Sequence, residues 1–145
     1  MARWGIYLCL PILVGRGAVW AKDSPAASIV LTAQENGTQA QTDFVCTGKI
    51  HGYVRLPKPQ SGPHLLEGLW SLPSGRVLLH SRNTVDFPPP GRSTAYVWLA
   101  FPERTAFQLT PAADQERLSY NGPWQLDVRW DQRPLLHSTF TVHCQ

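Results

Sequence analysis

Gly122-Pro-Trp-Gln-Leu-Asp-Val-Arg-Trp130 is followed by Asp131-Gln-Arg-Pro134 and then by Leu135-Leu-His-Ser-Thr-Phe-Thr-Val-His-Cys144, and this C-terminal stretch decides the fold class. Apolar residues take every second position in both long segments, a pattern typical of strands with one buried face. Two such segments joined by a short polar connection predict an antiparallel hairpin. Because the apolar faces must match across the pair, we expect an odd number of residues in the connecting loop.

The first 21 residues have the features of a cleaved secretory signal peptide. Arg3 precedes a short apolar run over residues 6–14, and Val19-Trp-Ala21 offers residues that a signal peptidase accepts. The run is too short to span a bilayer, which takes about 20 apolar residues. The alternatives are an uncleaved anchor and a buried N-terminal segment.

Cleavage predicts an exported protein, periplasmic or extracellular, that is not embedded in a membrane afterwards. We expect residues 22–27 to form a flexible N-terminus and residues 28–145 to form a single domain. The chain carries 13 basic and 10 acidic residues, a formal charge of +3. Arg3 and Arg16 belong to the predicted signal peptide, which leaves only +1, so we expect no nucleic-acid partner.

Two of the three cysteines, Cys46 and Cys144, lie outside the predicted signal peptide. In an oxidising compartment such a pair predicts a disulfide. The chain has no Cys-x-x-Cys spacing, and neither cysteine has a cationic neighbour that would make it a reactive thiol. Both cysteines fall on the apolar parity of their segments, so we expect a structural bridge between two stacked sheets.

The segments that precede the C-terminal hairpin also have strand composition. The predicted strands are residues 28–34, 44–56, 65–72, 77–87, 95–101 and, as a short edge strand, 105–110. Residues 95–101 are apolar at nearly every position, which predicts a central strand covered on both faces. Ser74-Gly75 predicts a two-residue turn that pairs Trp70 with Leu79 and Leu72 with Val77.

The connections between these strands are indicated by proline, glycine and asparagine. The proline-rich residues 57–63 and 88–91 predict loops, because proline lacks the amide that a sheet needs. Asn36-Gly37 predicts a hairpin turn, and with Thr38 it also forms a glycosylation sequon whose use depends on the source of the protein. Residues 112–118 favour one or two turns of helix.

Seven to nine short strands and little helix predict an all-β, single antiparallel sandwich. An early cysteine, an intervening tryptophan and a cysteine in the last strand resemble the immunoglobulin-like and fibronectin-like β-sandwich superfamily. The spacing between the cysteines is longer than in an antibody domain, and Val142 stands where that domain has a tyrosine. The resemblance implies an architecture and transfers no functional residues.

The sequence contains no Gly-x-Gly-x-x-Gly, phosphate loop, His-Glu-x-x-His, Gly-x-Ser-x-Gly or Cys-x-x-Cys-His motif, and its carboxylates are scattered. His51, His64, His80, His137 and His143 are the candidate metal ligands. His137 and His143 share a strand face but lie about 20 Å apart at 3.3 Å per residue, too far for one ion. We therefore expect no catalytic residue, no metal site and no cofactor.

The tryptophans and the outward strand positions are the remaining candidates for contact. We expect Trp70, Trp98, Trp124 and Trp130 to lie in the core, with Trp130 the most exposed of them because it ends a strand. The outward positions of the predicted strands, with Trp130, give a predicted contact surface made of His51, Tyr53, Arg55, Arg129, Trp130, His137 and His143.

These observations favour a non-enzymatic module that binds another protein in an accessory, adhesion or assembly role. A second hypothesis is carbohydrate binding, in which a glycan stacks on exposed tryptophans. A third is a small exported hydrolase or metal-dependent enzyme, which would have to gather His51, His80 or His137 with a carboxylate around a pocket.

Overall fold

A computed structural model describes residues 26–102 and 110–145 of the protein. The elements within them are β1 (Ser28–Thr32), β2 (Asp43–Val45), β3 (Lys49–Ser71), β4 (Val77–Ala100), α1 (Pro111–Leu118), β5 (Gly122–Trp130) and β6 (Arg133–His143). The predicted signal peptide, most of the predicted flexible N-terminus and nearly all of the predicted strand at 105–110 lie outside the described residues. Within them, no helix is long and apolar enough to cross a membrane.

The described strands form one curled, mixed sheet in the order β1-β3-β5-β6-β2, with β4 also paired to β3. The long strand β3 belongs to two parts of it. Residues 49–55 of β3 pair with β4, and β1 pairs with residues 51–55 on the other side, whereas residues 66–71 lie between β4 and β5. We call the first part, which includes residues 94–100 of β4, the β1 half, and the second part, with β5, β6 and β2, the β5 half.

The bend between the two halves lies where the sequence predicts loops. The register of β3 and β4 is interrupted on both sides of Gln60, yet both strands continue through residues 57–63 and 88–91. Gly91 has a φ of +101°, and a Cβ there would lie 2.6 Å from the carbonyl oxygen of Gln60. The predicted loops were wrong, because the prolines interrupt the ladder as an irregularity within the strands without ending them.

The turn that joins β3 to β4 confirms part of the predicted register. Trp70 lies opposite Leu79, as expected. The predicted pairing of Leu72 with Val77 was wrong, since Val77 lies opposite Ser71 across an irregularity in the ladder. This irregularity changes the pairing only at the end of the hairpin.

The β5–β6 hairpin is antiparallel as predicted, but its loop is not odd-numbered. Asp131 and Gln132 form a two-residue turn, with φ values of +49° and +67°. The register then shifts on β6, so that Leu135 is an extra residue and Val128 lies opposite Leu136. This bulge returns the apolar residues of β6 to the buried face, which is the correction that we expected from the loop.

The disulfide predicted between Cys46 and Cys144 is present, with the two Cα atoms 5.2 Å apart. It joins the ends of β2 and β6, which are parallel neighbours in the same sheet. The backbone amide of Cys46 also donates to the carbonyl of His143 at 3.2 Å. The expectations of a bridge between stacked sheets and of a wholly antiparallel arrangement were therefore wrong at this pair of strands.

Aromatic side chains form the centre of the core. Trp70 and Trp124 are fully buried, and the ring of Phe140 lies 5.9 Å from each. The indole Nε1 of Trp124 donates to the carbonyl oxygen of Tyr120 at 2.7 Å, which satisfies the polar atom of a buried ring. The predicted core positions of Trp70 and Trp124 are confirmed.

Two local predictions near the ends of the described chain have different outcomes. Asn36 adopts a φ of +58°, which confirms a turn at Asn36-Gly37, but β1 pairs with β3 and β2 with β6, so no hairpin forms there. The predicted helix at 112–118 is confirmed as α1. The hydroxyl of Thr110 accepts the amide of Ala113 at 3.2 Å and thereby caps it.

Candidate functional site

The β1 half has one buried face and one face that carries large polar and aromatic side chains. On β3, Ile50 and Val54 are buried, whereas Lys49 and Arg55 on the alternate positions are exposed. On β4, Val97 and its alternate neighbours are likewise buried. Because successive side chains of a strand point to opposite faces, the residues between them lie together on the other face of the sheet.

Four rings on that face form what we call the aromatic surface: His51, Tyr53, Tyr96 and Trp98. The register places His51 opposite Trp98 and Tyr53 opposite Tyr96. Tyr96 is 39% exposed and Trp98 is 44% exposed. The expectation that residues 95–101 are covered on both faces and that Trp98 lies in the core was therefore wrong. Within the described chain, this part of β4 pairs only with β3.

Contacts between the rings hold the aromatic surface in one arrangement. The ring centroids of Tyr53 and Tyr96 lie 5.3 Å apart, and the imidazole of His51 stacks on Tyr96 at 5.9 Å. Nδ1 of His51 and the hydroxyl of Tyr96 share a hydrogen bond of 2.6 Å. Burial, with smaller effects of Tyr53 and Glu35, raises the pKa of the Tyr96 phenol. Rings that are already fixed lose little conformational entropy when a ligand binds.

The connection from β1 to β2 lies against one end of the aromatic surface. The backbone amide of Asn36 donates to the hydroxyl of Tyr53 at 2.6 Å. Residues of β1 and of this connection line a cavity of about 310 Å³ that is open to solvent on one side. Hydroxyl and amide side chains, with one glycine, line the cavity: Thr32, Gln34, Asn36, Gly37, Thr38, Gln39 and Gln41. A polar, uncharged cavity thus adjoins the rings.

Two cations flank the rings along β3. The ammonium of Lys49 lies over the ring of Trp98, 5.2 Å from its centroid, in a cation–π contact. Arg55 is exposed two positions beyond Tyr53 on the same face. The two cations are six positions apart on an extended strand, a distance of about 20 Å.

The structure brings only some of the predicted contact residues together. His51, Tyr53 and Arg55 lie on the outer face of the β1 half. The others lie in the β5 half, where Arg129 is opposite Glu67 of β3 and His143 ends β6. The seven residues thus belong to separate parts of the sheet, listed by strand as His51, Tyr53 and Arg55 on β3, Arg129 and Trp130 on β5, and His137 and His143 on β6.

Trp130 is half-buried and is less available than we expected. His64 stacks on its ring at 4.7 Å, and Phe87 packs against it at 6.1 Å. Nδ1 of His64 lies 2.8 Å from Oδ2 of Asp131, whose Oδ1 accepts the amide of Leu65 at 2.9 Å. Hydrogen bonding to His64 lowers the pKa of Asp131, and the same bond raises the pKa of His64. This cluster fastens the β5–β6 turn to β3.

Most of the histidines form pairs with carboxylates. Besides His64, His137 lies 2.7 Å from Asp127, and His143 lies 3.1 Å from Asp43. Across residues 26–102 and 110–145, no three His, Cys, Asp or Glu side chains come together as a metal site would require. The paired histidines act as cross-strand contacts of the sheet.

A buried carboxylate on the outer face of the β5 half is a feature that sequence reasoning missed. Glu67 is only 4% exposed, and its Oε1 accepts Nε2 of His80 at 3.0 Å and Nε of Arg82 at 3.1 Å. Both partners come from the neighbouring β4. The pairing depends on the β3–β4 register, which the spacing of these residues along the chain does not reveal.

Comparison with known proteins supports the architecture. No protein-family model matches the sequence, and no curated protein is similar enough in sequence to count as a relative. The structure is similar to an immunoglobulin-like protein from Pseudomonas aeruginosa, with a TM-score of 0.50 and 19% sequence identity over 83% of this chain and 99% of that chain. The chain therefore has an immunoglobulin-like architecture, as predicted, and a likeness at this identity shows the fold alone.

A second similar structure is part of a larger enzyme. It is an alkylpurine DNA glycosylase from Pseudomonas fluorescens bound to DNA containing an abasic site analogue. The TM-score is 0.46 and the identity 11%, over 81% of this chain and 30% of that chain. A likeness of this extent carries no argument about the chain described here.

Proposed function

We propose that this protein is an exported, non-enzymatic module that binds another protein through its aromatic surface. The observation that carries the proposal is the exposure of Tyr96 and Trp98 side by side with Tyr53 and His51 on one sheet face. Tyrosine and tryptophan supply much of the binding energy of protein interfaces because they bury a large apolar area while keeping a polar atom available.

Clustering distinguishes these rings from ordinary exposed apolar residues. Single exposed side chains such as Leu118 on α1 are normal in folded proteins and call for no ligand. Ring contacts and hydrogen bonds join the exposed Tyr96 to the half-buried Tyr53 and the buried His51, and Trp98 lies opposite His51 beneath the ammonium of Lys49. An apolar patch of this kind on a protein surface is typical of an interaction site.

The disulfide supports export. Disulfides such as Cys46–Cys144 form and persist in oxidising compartments, in agreement with the predicted signal peptide. An accessory, adhesion or assembly role would fit a module of this kind.

The test is affinity capture with the mature, oxidised protein and two variants. We expect a specific partner from the native envelope or secretome to be retained by the parent and by Leu118→Ala, and to be lost with Trp98→Ala. Leu118 is the matched control because it is an exposed large apolar residue on α1. Equal thermal stability of the three proteins must accompany the result. A partner that Trp98→Ala captures as well as the parent does would contradict the proposal.

Carbohydrate is the second candidate ligand, and the cavity of about 310 Å³ beside Tyr53 favours it. Amides and hydroxyls such as those of Gln34 and Gln41 can hydrogen-bond sugar hydroxyls while a ring stacks on the sugar face. Titration with a broad panel of neutral glycans, followed by tryptophan fluorescence, tests this function. Quenching that Trp98→Ala abolishes would support it, and no response to any glycan would exclude it.

A further inference from the structure

We infer that the partner presents an acidic surface to the aromatic surface, with carboxylates on both sides of apolar or aromatic side chains. The inference rests on the proposed function and specifies the chemistry of the partner. Its basis is the charge of the outer face of the β1 half. Lys49 and Arg55 lie at the two ends of the row of outward β3 residues, with His51 and Tyr53 between them.

Neither cation is neutralised by another residue of the described chain. Arg76 pairs with Glu116, and Arg82 pairs with Glu67, but Lys49 and Arg55 form no ion pair with any residue in the described ranges 26–102 and 110–145. The ammonium of Lys49 instead lies over the ring of Trp98. Both side chains are exposed, so their charges are available to a ligand that approaches this face.

The acidic residues of the described chain lie mostly elsewhere. Glu35, in the connection after β1, is the acidic residue that acts on Tyr96. The remaining described carboxylates belong to the β5 half, to β2, to α1 or to the part of β4 opposite Pro63, and their positions are Asp43, Glu67, Asp86, Asp114, Glu116, Asp127 and Asp131. The aromatic surface therefore combines rings with a positive rim, and a complementary partner combines apolar side chains with a negative rim.

The spacing of the cations limits the shape of the partner's contact. About 20 Å separates Lys49 from Arg55, a span that an extended acidic segment of about six residues covers. Charges at the rim of an interface act mainly on the association rate and its salt dependence, whereas the central rings contribute most of the affinity. The two contributions can therefore be removed separately.

The experiment uses the mature, oxidised protein and synthetic copolymers as probes. A random copolymer of glutamate and tyrosine presents carboxylates beside rings, and a copolymer of lysine and tyrosine reverses its charge. We expect the protein to bind the acidic copolymer and not the basic one. The double variant Lys49→Glu with Arg55→Glu should weaken this binding by about tenfold or more, and so, separately, should a rise in salt from about 0.05 M to about 0.5 M. Arg76→Glu, an exposed cation in the β3–β4 turn, is the control and should bind like the parent.

The outcomes separate this inference from the proposed function. If the charge reversals and added salt leave binding unchanged while Trp98→Ala abolishes it, the surface binds through its rings alone. The inference of an acidic partner would then be wrong. Failure to bind the acidic copolymer, or tighter binding to the sulfated polysaccharide heparin than to the copolymer, would also overturn the inference. The proposed function is judged separately by capture of the native partner with parent and Trp98→Ala protein.

Discussion

The Cys46–Cys144 disulfide closes 98 positions of chain, and its removal by Cys46→Ala together with Cys144→Ala is expected to cost a large part of the stability. In the chain-entropy model, a loop of this size stabilises the folded state by about 4.7 kcal/mol, and measured values are typically about 2 to 4 kcal/mol. We expect a loss of about 4 kcal/mol. Strand β2 has only three residues, and the bridge follows directly on its C-terminal end.

Equilibrium unfolding in urea, followed by tryptophan fluorescence, measures the effect, because the buried Trp70 and Trp124 report on loss of the core. The midpoint of thermal unfolding should fall by roughly 15 °C at about 4 °C per kcal/mol for a domain of this size. The m-value should rise, since an unfolded chain without the cross-link exposes more surface.

Two controls separate loss of the bridge from the effect of substitution. The parent protein reduced with a phosphine should lose about as much stability as the double variant does. Val45→Ala, an exposed neighbour of Cys46 on β2, should change the free energy of unfolding by less than about 0.5 kcal/mol. A loss below about 1 kcal/mol in the double variant, or full stability of the reduced parent, would show that the bridge is not a main source of stability.

Three further predictions concern the core, the bend and the β5–β6 turn. Trp124→Ala removes a fully buried ring and its hydrogen bond, and should destabilise by about 3 to 5 kcal/mol in urea unfolding; a loss under about 1 kcal/mol would place this ring outside the core. Gly91→Ala, with φ at +101° and its Cβ 2.6 Å from the oxygen of Gln60, should cost about 2 kcal/mol or more, and an unchanged melting temperature would contradict the bend. The third concerns pH. Stabilisation from Asp131 is present above its ordinary pKa of 3.8 and is lost as pH falls through its lowered folded value, whereas stabilisation from His64 is present below its ordinary pKa of 6.5 and is lost as pH rises through its raised folded value. Asp131→Asn should therefore reduce the fall in stability between about pH 6 and about pH 9, and a variant with the parent's full slope would contradict the pair.

The parts of the fold that follow from local patterns could be predicted from the sequence. The alternation of apolar residues predicted the β5–β6 hairpin. The expected export to an oxidising compartment predicted the Cys46–Cys144 disulfide. The parity of a residue along its strand fixes which face it occupies but not which strand lies beside it. For this reason the sequence could show that the two cysteines lie on buried faces. It could not show that the disulfide joins two strands of one sheet.

The bend and the bulge could not be predicted because they depend on a partner strand. Proline-rich residues 57–63 have the composition of a loop, and only the opposite residues of β4 show that the strand continues past them. Leu135 is similar, since an extra residue on β6 becomes visible only when Val128 is seen opposite Leu136.

The candidate site was predicted in part. Outward parity on β3 identified His51 and Tyr53, but the same rule selected Arg129 and His137, which lie in the β5 half. Residues 95–101 were expected to be covered on both faces, because an apolar run does not distinguish buried rings from exposed ones. The exposure of Trp98 departs from local expectation at the place where we propose that a partner binds, and such departures are typical of functional sites.

Hydrogen exchange of the protein, alone and with the captured partner, locates the interface without any substitution. If the partner binds the aromatic surface, it will slow amide exchange over residues 49–55 of β3 and 94–100 of β4 and leave residues 125–137 unchanged. Protection confined to residues 125–137, with residues 49–55 and 94–100 exchanging as in the free protein, would place the partner on the β5 half instead.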